Sequence, residues 1–133
     1  MVKITVNAGL AVEAGPNLNL NTVITPDSYT VGRVELGPSG SAEASGELPL
    51  LPDGGEVILL AVKASSGDGT PAEITVTPRN GATDGDGLTV QGTLFIGHRG
   101  VLAALVTDGP RTLGLENTGP DSVTVDVLAA LDS

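Results

Sequence analysis

The sequence predicts an all-β protein, an antiparallel β-sandwich of eight to ten short strands with no significant helix. Three observations carry that expectation. Apolar and polar residues alternate at period two in one segment after another, clearest in Val123-Thr124-Val125-Asp126-Val127-Leu128. Gly, Pro, Asn and Asp gather between those segments every ~8–14 residues, the turn spacing of a sandwich or barrel. No segment carries an apolar stripe at the 3.6-residue period of an amphipathic helix.

The chain opens on Val2-Lys3-Ile4-Thr5-Val6. Its basic start resembles that of a leader peptide, but Thr5, Asn7 and Glu13 interrupt any apolar centre, so it reads as a first strand. Leu18-Asn19-Leu20-Asn21 begins another, set between the turn signals Gly15-Pro16 and Pro26-Asp27. Residues Gly37 to Gly46 lack large apolar side chains and read as an exposed loop leading to an edge strand. Glu56 to Val62 is a nearly continuous apolar run between Asp53-Gly54-Gly55 and the Ser65 to Gly69 turn, as expected of a strand covered on both faces. Ala72 to Thr77 alternates and should stop at Pro78, which has no N–H to donate. Asn80-Gly81 marks the next turn. Leu88 to Ile96 reads as one strand, with Gly92 as a bulge or a point of close approach. Val101 to Val106 is assigned to a strand over a helical turn, by its short length and its flanking Gly100 and Asp108-Gly109-Pro110. Gly119-Pro120 then turns the chain into its last strand. No repeat of fixed period is present, which argues against solenoids and propellers.

Length and composition narrow the function. A chain of 133 residues suits one domain, spanning 1–133, with one core. It has no Cys, so disulfides, thiolate metal sites and Cys nucleophiles are excluded. A formal charge of −10 repels phosphate backbones and anionic membranes, so neither nucleic acid nor membrane is an expected partner. No apolar run approaches the ~18 residues of a membrane span. Aromatic residues are only 2% of the chain, with no Trp, leaving almost nothing on which a sugar or a base can stack.

Candidate chemistry is sparse. His98 is the only histidine and has no Gly-x-Ser-x-Gly elbow to serve, although Ser65 and Ser66 are available hydroxyls, so the chain is not expected to be an enzyme. Glu35, Glu43 and Glu47 lack the stacking residues of a glycosidase cleft. In Thr83-Asp84-Gly85-Asp86-Gly87, Asp84 and Asp86 are the candidates for a metal, calcium being the ion. The closing Glu of an EF-hand loop is missing, since Phe95 stands where it would fall, and Asp-Gly pairs are ordinary turn chemistry. Four of the six basic residues are Arg, and Arg79, Arg99 and Arg111 fall at turns, where a planar guanidinium can pair with a partner's carboxylates.

The last third of the chain resembles the head decoration (cement) proteins of bacteriophages. The likeness runs from Leu94 to Asp132, through Gly100–Val106, Gly109-Pro110-Arg111-Thr112-Leu113, Leu115-Glu116-Asn117-Thr118-Gly119 and Val123–Leu128. It implies a β-sandwich or jelly roll, present in many copies on a particle and bound to the major capsid protein. On that basis the expected function is a non-enzymatic virion protein that decorates or stabilises a capsid, assembled in the host cytoplasm as a homo-oligomer such as a trimer. The expected contacts are the N-terminal Val2, Lys3 and Ile4 with Arg79, Arg99 and Arg111. No cofactor is expected. The alternative is a calcium-dependent adhesin or fibre module using Asp84 and Asp86.

Overall fold

The structure, a computed structural model, describes residues 2–51 and 55–133. It is 59% strand and 5% helix, with no helix of seven or more residues, which places the chain in the all-β class. The strands fall into two groups, an N-terminal hairpin and a two-sheet body.

The hairpin consists of β1 (Ile4–Ala11) and β2 (Asn17–Ile24), which among the described residues pair with each other and with no other strand. The body begins with β3 (Ser28–Leu36), β4 (Ser45–Pro49), β5 (Glu56–Ser66) and β6 (Glu73–Asn80). The two-residue β7 (Thr83–Asp84), β8 (Leu88–Gln91) and β9 (Thr93–Ile96) follow, then the helix α1 (Arg99–Ala104), β10 (Thr112–Asn117) and β11 (Val123–Asp132). One sheet runs β3-β11-β5-β9; the other runs β4-β10-β6, with β7 and β8 side by side along the free edge of β6. All pairings are antiparallel. With the hairpin and β7 set aside, the body strands lie in the orders first-eighth-third-sixth and second-seventh-fourth-fifth, which is jelly-roll topology.

Alternation dictates what fills the space between the sheets. In β11, Val123, Val125, Val127 and Ala129 turn inward, beside Leu60, Val62 and Ala64 of β5. They meet Ile74 and Val76 of β6, Val90 of β8 and Leu113 and Leu115 of β10 from the opposite sheet. Each such Val, Leu or Ile contributes ~1.5–3 kcal/mol by leaving water. The buried core contains no aromatic side chain, because the single Phe and the single Tyr, Phe95 and Tyr29, are both exposed.

Several segments differ from the sequence reading. Val101 to Val106 is not a strand: Arg99–Ala104 is helical, with Leu102 fully buried at the end of the sandwich. His98 stands at its N-cap, where Nδ1 accepts from the Val101 N–H at 3.3 Å. A helix of six residues is no longer than a strand, so length cannot separate the two. Leu88 to Ile96 is two strands in different sheets. The chain crosses between them at Gly92, whose φ of +78° favours glycine and whose Cβ would sit 2.9 Å from Pro71. Strand β6 continues past Pro78. The Pro78 carbonyl accepts from Gly85 N–H at 2.7 Å, so the missing donor faces the break between β7 and β8, where no ladder bond is lost. Among the described residues the strands number eleven, the two-residue β7 included, against the eight to ten expected. The loop and edge strand read over Gly37 to Gly46 match, with β4 starting at Ser45 on a sheet edge. Of the Asp53-Gly54-Gly55 turn, Asp53 and Gly54 lie outside the described residues.

Candidate functional site

The hairpin is amphipathic in the way a covered sheet is. Side chains alternate across a strand, so Ile4, Val6, Ala8 and Leu10 share one face of β1. Their cross-strand partners Ile24, Thr22, Leu20 and Leu18 lie on the same face, which is apolar but for Thr22. The opposite face carries Thr5, Asn7, Gly9 and Ala11 against Val23, Asn21, Asn19 and Asn17. In the body, a strand with such an apolar face is buried. Here Leu10 is 58% exposed, Leu18 53% and Leu20 49%. A two-stranded hairpin alone in water is marginal at best. The arm therefore has the pattern of a sheet that packs on something, and the described residues place nothing against its distal half.

The base of the arm is fastened to the body at Pro26 and Asp27. Pro26 is buried, and its carbonyl accepts from Val2 N–H at 3.3 Å. Asp27 N–H donates to Leu131 O at 3.0 Å, while Asp27 Oδ2 accepts from Ser133 N–H at 2.9 Å and from the Ser133 hydroxyl. The hydroxyl first, and then the N–H, hold the Asp27 carboxyl below its usual pKa. The arm thus leaves from the sheet end where β3 starts and β11 finishes.

A second apolar surface lies on the outer face of the β3-β11-β5-β9 sheet. The pairing register sets Val31, Leu128, Ala61 and Phe95 in one row across all four strands. Val31 is 64% exposed and Phe95 49%; in the adjoining row Tyr29 is 53% exposed, while its neighbours Ala130 and Leu59 are buried. On the other side the row is bounded by Arg33, Asp126 and Lys63, with Arg33 Nε 2.7 Å from Asp126 Oδ1. The outer face of the other sheet differs: Glu47, Glu73, Thr75, Thr77, Arg79 and Glu116 make it polar, as expected of a water-facing sheet.

The predicted contact residues are distributed around the arm end. Val2 and Ile4 stand at the base of the arm, with Lys3 exposed between them. Arg79, Arg99 and Arg111 all lie at this same end of the sandwich, because β6 finishes there and β10 starts there. Their charges are engaged within the chain in two of the three cases. Arg99 pairs with Glu56 at 2.5 Å and with Asp132 at 2.6 Å. Arg79 pairs with Glu47 and sits 3.1 Å from Asp84 Oδ1, its guanidinium lying over Gly114, where a Cβ would collide with it. Arg111 is half-buried and serves the backbone, its N–H donating to Arg79 O and its carbonyl accepting from Leu50 N–H, both at 2.8 Å. The sequence reading placed the N-terminal contact within Val2 to Val6, and the exposed Leu10, Leu18 and Leu20 lie beyond it. The alternation in Leu18-Asn19-Leu20-Asn21 was the signal that marked them as strand, but nothing local told that the strand stands free.

The acidic candidates are separated. Asp84 is committed to Arg79, and Asp86 is exposed in the stretch between β7 and β8. Among the described residues no three His, Cys, Asp or Glu side chains come together as a metal site. Asp68 lies at the far end, inside its own turn, where Oδ1 accepts from the Thr70 hydroxyl at 2.6 Å, from the Ser66 hydroxyl at 2.8 Å and from Thr70 N–H at 3.1 Å. Those bonds, the Thr70 hydroxyl foremost, lower its pKa to about 2. Ser66 and His98 sit at opposite ends of the sandwich, since β9 leads toward His98 from the level of Leu60, six residues or ~20 Å along β5 from Ser66. A Ser66–His98 catalytic pair is not formed. Comparison with protein-family models, curated proteins and solved structures gives no match.

Proposed function

We propose that this chain is a non-enzymatic structural protein that works by surface contact within a multi-copy assembly, with the N-terminal hairpin as its contact element. One observation carries the reading: an amphipathic β-arm whose distal apolar face has no cover, on a body whose own core is complete. Apolar strand faces stabilise a fold only when they leave water, so an arm built this way points to a protein surface that it buries against. The setting that best fits the resemblance of the last third is a bacteriophage capsid, with the chain decorating the lattice formed by the major capsid protein. Jelly rolls serve viral capsid and lectin domains and cupins alike, so the fold is compatible with this setting and does not select it.

Co-sedimentation with purified particles tests the virion setting. The chain is expected in the particle fraction, in a fixed copy number per capsid; particles that carry none of it sink the assignment. The calcium-dependent adhesin or fibre alternative requires Asp84 to leave Arg79 for an ion. Calorimetry with calcium distinguishes the two, since heat on addition and a Tm that falls with EDTA favour the alternative.

A further inference from the structure

We propose that Asn80-Gly81 is a site of self-catalysed covalent modification, at which deamidation of Asn80 irreversibly releases the connection between α1 and β10 from the end of β6.

The local chemistry favours the step. Asparagine is a thermolabile residue, open to attack on its side-chain carbonyl carbon by the backbone nitrogen of the residue that follows. Glycine in that following position leaves the nitrogen unshielded, because it has no Cβ. Asn80 alone among the asparagines is followed by glycine; Asn7, Asn17, Asn19, Asn21 and Asn117 are followed by Ala, Leu or Thr. It closes the β6–β7 hairpin, paired with Thr83 across a turn made of Gly81 and Ala82. Gly81 is exposed at a φ of +61°, and beyond its chain neighbours no atom lies within 4 Å of the place its Cβ would take. Its N–H has no acceptor among the described residues. The attacking nitrogen is thus open to solvent and to the base that takes its proton.

The atoms balance with water as the only co-reactant. Once its proton is lost, the Gly81 nitrogen bonds to Asn80 Cγ; the Cγ–Nδ2 bond breaks, ammonia leaves, and a cyclic imide closes. Water then opens either imide carbonyl. Cleavage at Cγ gives aspartate on the original backbone. Cleavage at the Asn80 main-chain carbonyl gives isoaspartate, with the backbone running through Cγ.

What the amide holds sets the consequence. Asn80 Nδ2 donates to Gly109 O at 2.9 Å, and Arg111 N–H donates to Arg79 O at 2.8 Å. These two bonds seat the α1–β10 connection on the end of β6. Ammonia carries the first donor away. The carboxylate left in either product only accepts, so it opposes the Gly109 carbonyl and cannot remake the bond. Isoaspartate also adds a methylene to the backbone of a tight turn. While the Gly109 bond stands it holds the amide in place, so the reaction runs from the locally opened hairpin end. Each conversion is final.

The test ages the full-length protein in mildly alkaline buffer and maps its peptides by mass, with isoaspartyl methyltransferase labelling to separate the two products. Aspartate and isoaspartate are expected at position 80 and at no other asparagine, and they should form more slowly in the native protein than in urea. Aged protein and the Asn80→Asp variant should both melt about 3–5 °C below fresh wild type, the shift of one lost hydrogen bond in a chain of this size. Hydrogen exchange of the Leu105 to Arg111 amides should speed up by about fivefold in both. Asn80→Gln, whose longer side chain disfavours the ring, should stay unmodified. An Asn80 that remains intact, or converts no faster than Asn7 or Asn19, overturns the site. An unchanged Tm with unchanged exchange in the aged protein overturns the release of the connection. Conversion as fast in the native protein as in urea overturns the restraint by Gly109.

Discussion

Removing the Asn117 side chain tests how the far end of the sandwich is held, because that one amide joins three segments. Asn117 is 1% exposed and ends β10. Its Nδ2 donates to Gly37 O at 2.8 Å and to Asp121 O at 2.7 Å, and its Oδ1 accepts from Gly119 N–H at 3.0 Å. The loop after β3 and the loop before β11 are thus tied to β10 by a side chain chosen for having donors and an acceptor together. Asn117→Ala removes three hydrogen bonds at ~1 kcal/mol each, and partial rehydration of the freed loop groups sets the range at ~2–4 kcal/mol. For 133 residues the unfolding entropy gives about 3–4 °C of Tm per kcal/mol, so the variant should melt about 7–14 °C lower. Urea unfolding followed by circular dichroism should show a reduced midpoint at unchanged slope. Asn117→Asp sharpens the test: its carboxylate keeps the acceptor for Gly119 but faces two carbonyl oxygens. Its deficit should shrink on acidification, as a protonated carboxyl regains one donor. A loss below ~0.5 kcal/mol for Asn117→Ala would show that the three bonds do not hold the loops.

Three further outcomes follow from the same structure. Leu102→Ala should lower stability by ~2–5 kcal/mol in denaturant titrations, since the side chain of α1 that closes the core is fully buried. Gly92→Ala places a Cβ at a φ of +78° and 2.9 Å from Pro71, so it should cost upward of ~1 kcal/mol by the same assay and should perturb the crossing between sheets. Asp68 has a folded pKa of about 2 against an ordinary value of 3.8. A depressed carboxylate pKa stabilises the fold above the unfolded value and stops doing so as pH falls through the folded one. Asp68→Asn should therefore flatten the part of the acid limb between pH 3.8 and about 2 and leave the neutral plateau's pH dependence unchanged, read from urea midpoints across an acid series.

The strand inventory was largely legible because β11, β6 and β1 alternate with one face to the core or to a partner, and the alternation is local. The errors fall where a tertiary choice overrides a local pattern. Gly92 looks the same in sequence whether it makes a bulge within one strand or carries the chain to the other sheet; the difference is the position of Pro71. Pro78 forbids a ladder bond only on the side that its nitrogen faces, and that side is the break between β7 and β8. Arg79 and Arg99 read as free loop charges because their partners Glu47, Glu56 and Asp132 are distant in sequence. Asn117 carries no motif at all, being polar in a strand whose other inward residues are Leu.

The arm shows the limit most clearly. Period-two alternation reports that one face of a strand is meant to leave water; it does not report what covers that face. Val123 to Leu128 and Leu18 to Asn21 are therefore the same signal in sequence, yet the first closes the core and the second stands in solvent. What separates them is sheet membership: β2 is joined to the body through Asp27, and it pairs with β1 in a sheet of two strands. A chain that keeps an apolar face on a segment it cannot itself cover would be a liability as an isolated monomer, inviting edge pairing and aggregation. The excess of negative charge, −10 over the chain, opposes such nonspecific association while leaving a short-range apolar contact intact.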